Sequence, residues 1–328
     1  MLNNFKILRK YGLYAPVIRI EASSVCQLRC TGCNQTTGDK GITTSGFLKF
    51  ENFKWFVETY PEFERIELSC WGEPFLNPQM DEIMAFAHSK GVRLTIAAGS
   101  NFNSISKKTI ENLVKYKFQH VTVALDGATP EVYQIYRQRG DFDTVIRNVK
   151  LVNEFKAKYG SSYPELRWQY VVFEHNEHQI AEAEKMASEL KMIFQLKLNA
   201  KHSYAPVKNK EILREKLGAA TPREYWVRNK KTYMSGYSAM WIAPQITWDG
   251  KFMGCCANKW GDFGNVFESG LKECLKSERY IYAKRMLLDK RSMRNDIPCS
   301  KCPKYRNPVT RKMIIRDLKN KLSLYHKG

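Results

Sequence analysis

Histidine is scarce in this chain, with six in 328 residues and the first at His88. Acidic residues are few as well, 33 against 53 lysines and arginines. No run approaches the roughly eighteen consecutive apolar residues that a membrane-spanning helix needs. The first residues, Met-Leu-Asn-Asn-Phe-Lys, lack the apolar stretch and small-residue cleavage site of a secretory signal. These absences argue against a spanning or exported protein and predict a cytoplasmic one. The nine cysteines fall in small groups. Without export signals, that pattern argues against a disulfide framework and for metal or redox work in a reducing compartment. The net charge of +20 attracts polyanions, acidic membrane surfaces or acidic peptides, without choosing among them.

The cysteines that matter most stand near the start. Cys26, Cys30 and Cys33 lie at C-x3-C-x2-C spacing just after the apolar run 17–22. A loop of this length turns three thiolates towards one region. Four ligands complete an iron–sulfur cube, and three leave one iron open to something that is not protein. A structural zinc wants four protein ligands and a catalytic one usually recruits histidine or a carboxylate. No histidine is near this loop.

Strand-like runs recur at 17–22, 65–70, 92–98, 120–125, 167–173 and 193–198, with helical patterns at 50–60, 78–90, 107–117, 143–158 and 179–190 between them. Strand and helix in alternation predict a parallel sheet with helices outside. Six units are too few for a closed eight-unit barrel, so an open partial barrel is expected. In such folds ligands sit at the carboxyl ends of the strands.

The cysteine triplet after a first strand resembles the radical S-adenosylmethionine (SAM) superfamily, and further segments match that family in order. The resemblance implies an α/β fold, a partial (β/α)6 TIM-like barrel. It also implies a [4Fe–4S] cluster on Cys26, Cys30 and Cys33, whose open iron binds SAM. Electron transfer from a reductant such as flavodoxin or ferredoxin would then cleave SAM to methionine and a 5′-deoxyadenosyl radical. Gly72, Glu73 and Pro74 are similar to the family's Gly-Gly-Glu-Pro motif, with Trp71 in place of the first glycine. Backbone carbonyls there can accept from the amino group of SAM whatever the side chains are. Ser100 and Asn101 follow the third strand, where a hydroxyl and an amide could meet a ribose or the methionine portion; a polar turn is the alternative. After the fourth strand, Asp126 stands in a Leu-Asp-Gly-Ala segment common in one branch of the superfamily, placed to bind ribose hydroxyls or position substrate. Arg137 suits the SAM carboxylate because guanidinium–carboxylate pairing is bidentate, unless it is a solvated helix-face arginine. Gln169, on the fifth strand, can reach the adenine or the substrate. His175 and His178 are expected at a cap or on the surface. Cys70, ending an apolar run, reads as a small buried residue.

Residues 201–238 are basic and without strong period, a linker with one or two short helices. Beyond them, 246–255 reads as strand, turn at Asp249 and Gly250, and returning strand. A helix-like stretch at 271–286 and the pair Cys299 and Cys302 follow. This order resembles the SPASM and twitch extensions of the family, small α+β domains that hold auxiliary clusters, with Cys255, Cys299 and Cys302 matching their ligands. The expected division is barrel 1–200, linker 201–238, twitch-like domain 239–306 and basic amphipathic helix 307–328. One auxiliary [4Fe–4S] cluster of the shorter type fits the cysteine count. Its fourth ligand is open between Cys274, Cys256, a non-cysteine group and none, with Cys274 preferred. Adjacent Cys255 and Cys256 point to opposite faces if extended. A structural zinc is the alternative occupant.

The expected activity is hydrogen-atom abstraction from a substrate C–H bond, modifying a ribosomal peptide or a sugar or aminocyclitol, and the basic charge favours an anionic substrate. No stable nucleic-acid or transmembrane partner is expected. A non-catalytic iron–sulfur electron carrier and an RNA-modifying enzyme are the competing readings.

Overall fold

The computed structural model describes residues 2–199, 204–233 and 236–326, with side chains described between 6 and 323. Lys201 of the basic segment and the side chain of Tyr325 lie outside the described part. Seven strands form one sheet: β1 (Val17–Ile20), β2 (Arg65–Glu67), β3 (Arg93–Ser100), β4 (His120–Ala124), β5 (Glu165–Val171), β6 (Ile193–Lys197) and β7 (Gln245–Ile246). Their order is β6-β5-β4-β3-β2-β1-β7, and every pairing is parallel. Six of the seven coincide with the apolar runs. A parallel strand is covered on both faces and therefore reads as a near-continuous apolar run. Ile18, Ile66, Ile96, Val121 and Trp168 are accordingly sealed from solvent.

Helices return the chain from each strand to the next: Phe50–Thr59, Met80–Ser89, Lys107–Lys115, Pro130–Tyr136 with Phe142–Tyr159, and Ile180–Glu189. Local chemistry sets several of their ends. Ser106 and Asp141 accept from the backbone amides of Thr109 and Thr144, each a side-chain N-cap. Gly160 closes Phe142–Tyr159 in the left-handed conformation that favours glycine.

The second half differs from the sequence expectation in two places. The expected strand, turn and returning strand at 246–255 are present, with Thr247 N donating to Lys251 O at 3.0 Å, Met253 N to Gln245 O at 2.8 Å and an antiparallel bridge Ile246↔Phe252, but the first arm is the two-residue β7, which also pairs in parallel with β1. It extends the barrel sheet, so the sheet has seven strands rather than six. The helical pattern at 271–286 is two helices, Leu271–Lys276 and Glu278–Leu287, because Ser277 leaves helical geometry to cap the second by accepting from Tyr280 N. The basic segment folds as Lys210–Leu217 and Pro222–Asn229 among its described residues.

The C-terminal helix Pro308–His326 buries Ile314, Leu318 and Leu322. Its Asp317, also buried, accepts from Thr232 Oγ1 at 2.5 Å and pairs with Lys321. The second half is joined to the barrel by more than β7. Trp248 packs so tightly on Gly46 that a Cβ there would fall 2.5 Å from its ring, and Tyr14 N donates to Trp241 O at 2.7 Å. No helix among the described residues is long and apolar enough to cross a membrane.

Candidate functional site

The loop carrying Cys26, Cys30 and Cys33 is held at both ends by backbone bonds from other elements. At its start, Glu73 N donates to Val25 O at 2.8 Å. Gly72 passes so close to this segment that a Cβ would lie 2.4 Å from Ser23 O and 2.6 Å from Val25 O, so only glycine fits. Further on, Arg29 N and Thr31 N donate to Gln138 O and Tyr136 O, beside the end of Pro130–Tyr136. Cys33 N returns to Cys30 O, and Cys33 then precedes the short helix Asn34–Thr37.

Around this loop stand most of the residues singled out in the sequence, but several serve each other rather than face outward. The Glu73 carboxylate is buried and accepts from Ser100 Oγ and Asn101 N, both at 2.6 Å, tying the end of β3 to the turn after β2. Burial raises its pKa. Pro74 is buried at the head of the turn Pro74–Leu76. Asn101 directs Nδ2 to Cys26 Sγ at 3.6 Å, while its Oδ1 accepts from Gln27 Nε2 at 2.9 Å.

Arg137 is buried. Its Nε and Nη2 grip Asp126 Oδ2 at 2.8 and 2.6 Å, and Nη1 reaches Cys30 Sγ at 3.7 Å. The other oxygen of Asp126 accepts from Val171 N at 2.8 Å. Both carboxylate oxygens are thus engaged within the protein, and Asp126 positions Arg137 beside the thiols. Gln169 faces the barrel interior, where its Oε1 accepts from Lys197 Nζ at 2.5 Å. His178 is exposed. His175 stacks on Phe173 with centroids 5.2 Å apart, and burial lowers its pKa. Asn176 instead organises that corner, accepting from Phe173 N and donating to Asp126 O and Val171 O.

A cavity of about 470 Å³ opens at the carboxyl ends of the strands. Thr31, Arg137, Gln169, Lys197, Gly236 and Cys256 are among the residues that line it. The second cysteine group lies behind it. Cys255, Cys299 and Cys302 line one small cavity with Gly236 and Tyr237. Tyr237 Oη lies 3.2 Å from Cys302 Sγ, and Ala257 N donates to Cys255 Sγ at 3.4 Å. Adjacent Cys256 also borders the larger cavity, but its thiol lies beside that of Cys255, both close to Gly236, and Cys70 Sγ donates to its carbonyl at 3.7 Å. Cys274, preferred as a fourth ligand, is not brought to this group. It sits in Leu271–Lys276 with Sγ 3.8 Å from Ser269 Oγ, because that helix packs its thiol towards Gly264.

Among the described residues, no three cysteine, histidine or acidic side chains converge as a single-ion site would require. A cluster makes a different demand, since each thiolate binds its own iron and the sulfurs need not meet at one point. The two groups suit that demand. Burial pushes Cys26 up to about 11 and Cys299 up to about 12, so these thiols ionise only with a metal's charge beside them. N–H donors from Asn101, Arg137 and Ala257 already aim at sulfur, and hydrogen bonds to cluster sulfurs are one way a protein tunes such a centre.

Sequence reasoning passed over Lys197 and Arg19. Lys197 is the last residue of β6, a position like those that marked the other candidates. Arg19 is a charge inside an apolar run, and it lines the cavity while donating to Gln245 Oε1 and Ser69 O.

Comparison with known proteins agrees with this architecture. Residues 20–163 match the Radical SAM superfamily model, and residues 238–303 match SPASM, an iron-sulfur cluster-binding domain. Mycofactocin maturase MftC of Mycobacterium tuberculosis is 29% identical over 143 residues, 42% of this chain and 34% of that protein. Fe-coproporphyrin III synthase of Methanosarcina barkeri is 26% identical over 146 residues, 44% of this chain and 36% of that one. The matched stretch is thus about a third of the length of these two relatives. The crystal structure of Streptococcus suis SuiB bound to precursor peptide SuiA superposes with TM-score 0.64 at 15% identity, covering 96% of this chain and 73% of that one. The two matched domains imply a [4Fe–4S] cluster, SAM and auxiliary iron–sulfur binding. The chain thus carries a Radical SAM domain at residues 20–163 and a C-terminal SPASM iron–sulfur cluster-binding domain at residues 238–303.

Proposed function

We propose that this protein is an enzyme that abstracts a hydrogen atom from a substrate C–H bond, modifying a ribosomal peptide or a comparably small polar molecule such as a sugar or aminocyclitol. Cys26, Cys30 and Cys33 would hold the SAM-binding cluster, and Cys255, Cys299 and Cys302 an auxiliary one. Bound there, cluster and SAM together supply, on reduction by a flavodoxin- or ferredoxin-like donor, the 5′-deoxyadenosyl radical that takes the hydrogen. The protein's part is to orient the reactants and keep water and bystander groups away from the reacting atoms.

The observation that carries the reading is the Asp126–Arg137–Cys30 arrangement at the edge of the cavity. A guanidinium fixed by one carboxylate, and still within reach of the thiol, is suited to take a second carboxylate in a defined orientation. A pure electron carrier has no use for it. Gly72 and the Glu73–Ser100–Asn101 brace fix the start of the thiol loop. The cavity is of a size that encloses small organic ligands. The two relatives are named for unlike products, so neither name supplies the substrate here. The fold shared with SuiB, whose structure holds a precursor peptide, supports the peptide class.

The test is 5′-deoxyadenosine release by anaerobically reconstituted protein given SAM and dithionite, with SAM binding measured in parallel. Release by the wild type and none by Cys30→Ala is the expected result. Cluster-loaded wild type that neither binds SAM nor releases the nucleoside would overturn the proposal.

A further inference from the structure

Among the described residues, the walls of the large cavity carry three cations, Arg19, Arg137 and Lys197, and no aspartate or glutamate. Two of the three are accounted for. Arg137 is ion-paired with Asp126. Arg19 is fixed to Gln245 Oε1 and Ser69 O, and the charge of buried Glu67 acts on it from close by.

Lys197 differs. It is the last residue of β6, and its ammonium is held by one neutral acceptor, Gln169 Oε1. It forms no ion pair with any described residue. The acid acting on it most strongly is Asp126, both of whose oxygens are already engaged by Arg137 and Val171 N. Arg167, the other charge acting on it, is of like sign and is itself paired with Glu165. A half-buried ammonium with two spare N–H donors and no counter-ion is costly to keep. Burial lowers its pKa accordingly. On the side of this cavity its neighbours include the apolar Ala97, Val171 and Leu198. An anionic oxygen arriving there would gain a charge-assisted hydrogen bond in a weakly screened place.

We infer that Lys197 anchors the substrate by an anionic group, a carboxylate or a phosphate, and so selects for molecules that carry one. This rests on reading the cavity as the radical SAM active site. The carboxylate of SAM is assigned to Arg137, which reaches Cys30, so Lys197 serves the other ligand. Gln169 fixes the ammonium while the subsite is open and turns its amide to the incoming group once the anion is bound.

The test uses the full chain, reconstituted and loaded with SAM, with glutarate and glycerol 3-phosphate as probes titrated by calorimetry. Wild type is compared with Lys197→Met, Lys197→Arg and the surface control Lys150→Met, and SAM affinity is measured for each. At least one probe should bind the wild type saturably and bind Lys197→Met about tenfold more weakly, the loss of one hydrogen bond to a charged group. Lys197→Arg should retain most of the affinity, Lys150→Met all of it, and SAM binding should not change. Glutarate binding alone identifies a carboxylate substrate, and glycerol 3-phosphate alone a phosphorylated one. Absence of binding by both probes, equal binding to Lys197→Met, or loss of SAM affinity in Lys197→Met would each overturn the assignment. If wild type fails to bind SAM, the radical SAM reading falls separately, and the same titration on SAM-free protein decides the anion subsite on its own.

Discussion

Glu21, the residue after β1, shows how far a side chain can be pushed by its surroundings. It is sealed from solvent, one carboxylate oxygen accepts from Trp71 N at 3.1 Å, and the other has no hydrogen-bond partner. Burial raises its pKa from the usual value near 4.5 to about 8. The folded chain therefore keeps a proton that the unfolded chain releases. This contribution to stability is complete below about pH 4.5 and is lost as pH rises through about 8. Glu21→Gln keeps the accepting oxygen and removes the titration. The variant should match wild type near pH 5 and exceed it at pH 8.5, by on the order of a few kcal/mol. Denaturation midpoints across that range check this, and parallel curves for the two proteins would contradict it.

At the scale of elements, the thiol loop depends on a turn that it does not contain. Gly72 belongs to the segment after β2, yet its missing side chain is what lets the backbone at 23–25 enter the loop. In Gly72→Ala the clash is with backbone atoms, which cannot rotate away. The expected cost is about 1–3 kcal/mol, as for overpacking in general. The iron assigned to Cys26, Cys30 and Cys33 should be lost while that of the second group stays. Iron and sulfide content per chain, with a denaturation curve, measures both effects, and wild-type values for each would refute the role given to this contact. The spacing of Cys26, Cys30 and Cys33 was legible because it is local. The glycine's reason was not, since it lies in residues some fifty positions earlier in the chain.

Across the whole molecule, the barrel and the C-terminal domain share one sheet. β7 pairs with β1, Arg19 bonds to Gln245, and Lys284 Nζ donates to Gly12 O at 2.8 Å across 272 positions of sequence. Units joined by strand pairing and buried polar contacts should lose structure together. Calorimetry of the full chain, without added clusters, should show one transition whose calorimetric and van't Hoff enthalpies agree. Two separable transitions would show that the C-terminal domain is an independent unit.

The order of strands and helices, the thiol spacing and the turn at Gly72 to Pro74 were determined by the sequence alone. Period-two and period-3.6 burial patterns and ligand spacing are properties of neighbouring residues. Tertiary structure alone decided the rest: β7 as an added strand, Arg137 beside Cys30, Asp126 spent on that arginine, Cys274 apart from Cys255, Cys299 and Cys302, and Lys197 facing an open cavity. Each of these depends on which distant segments meet. Arg137 and Cys30 are 107 positions apart, and the burial that gives their contact its strength exists only once the sheet has closed over them.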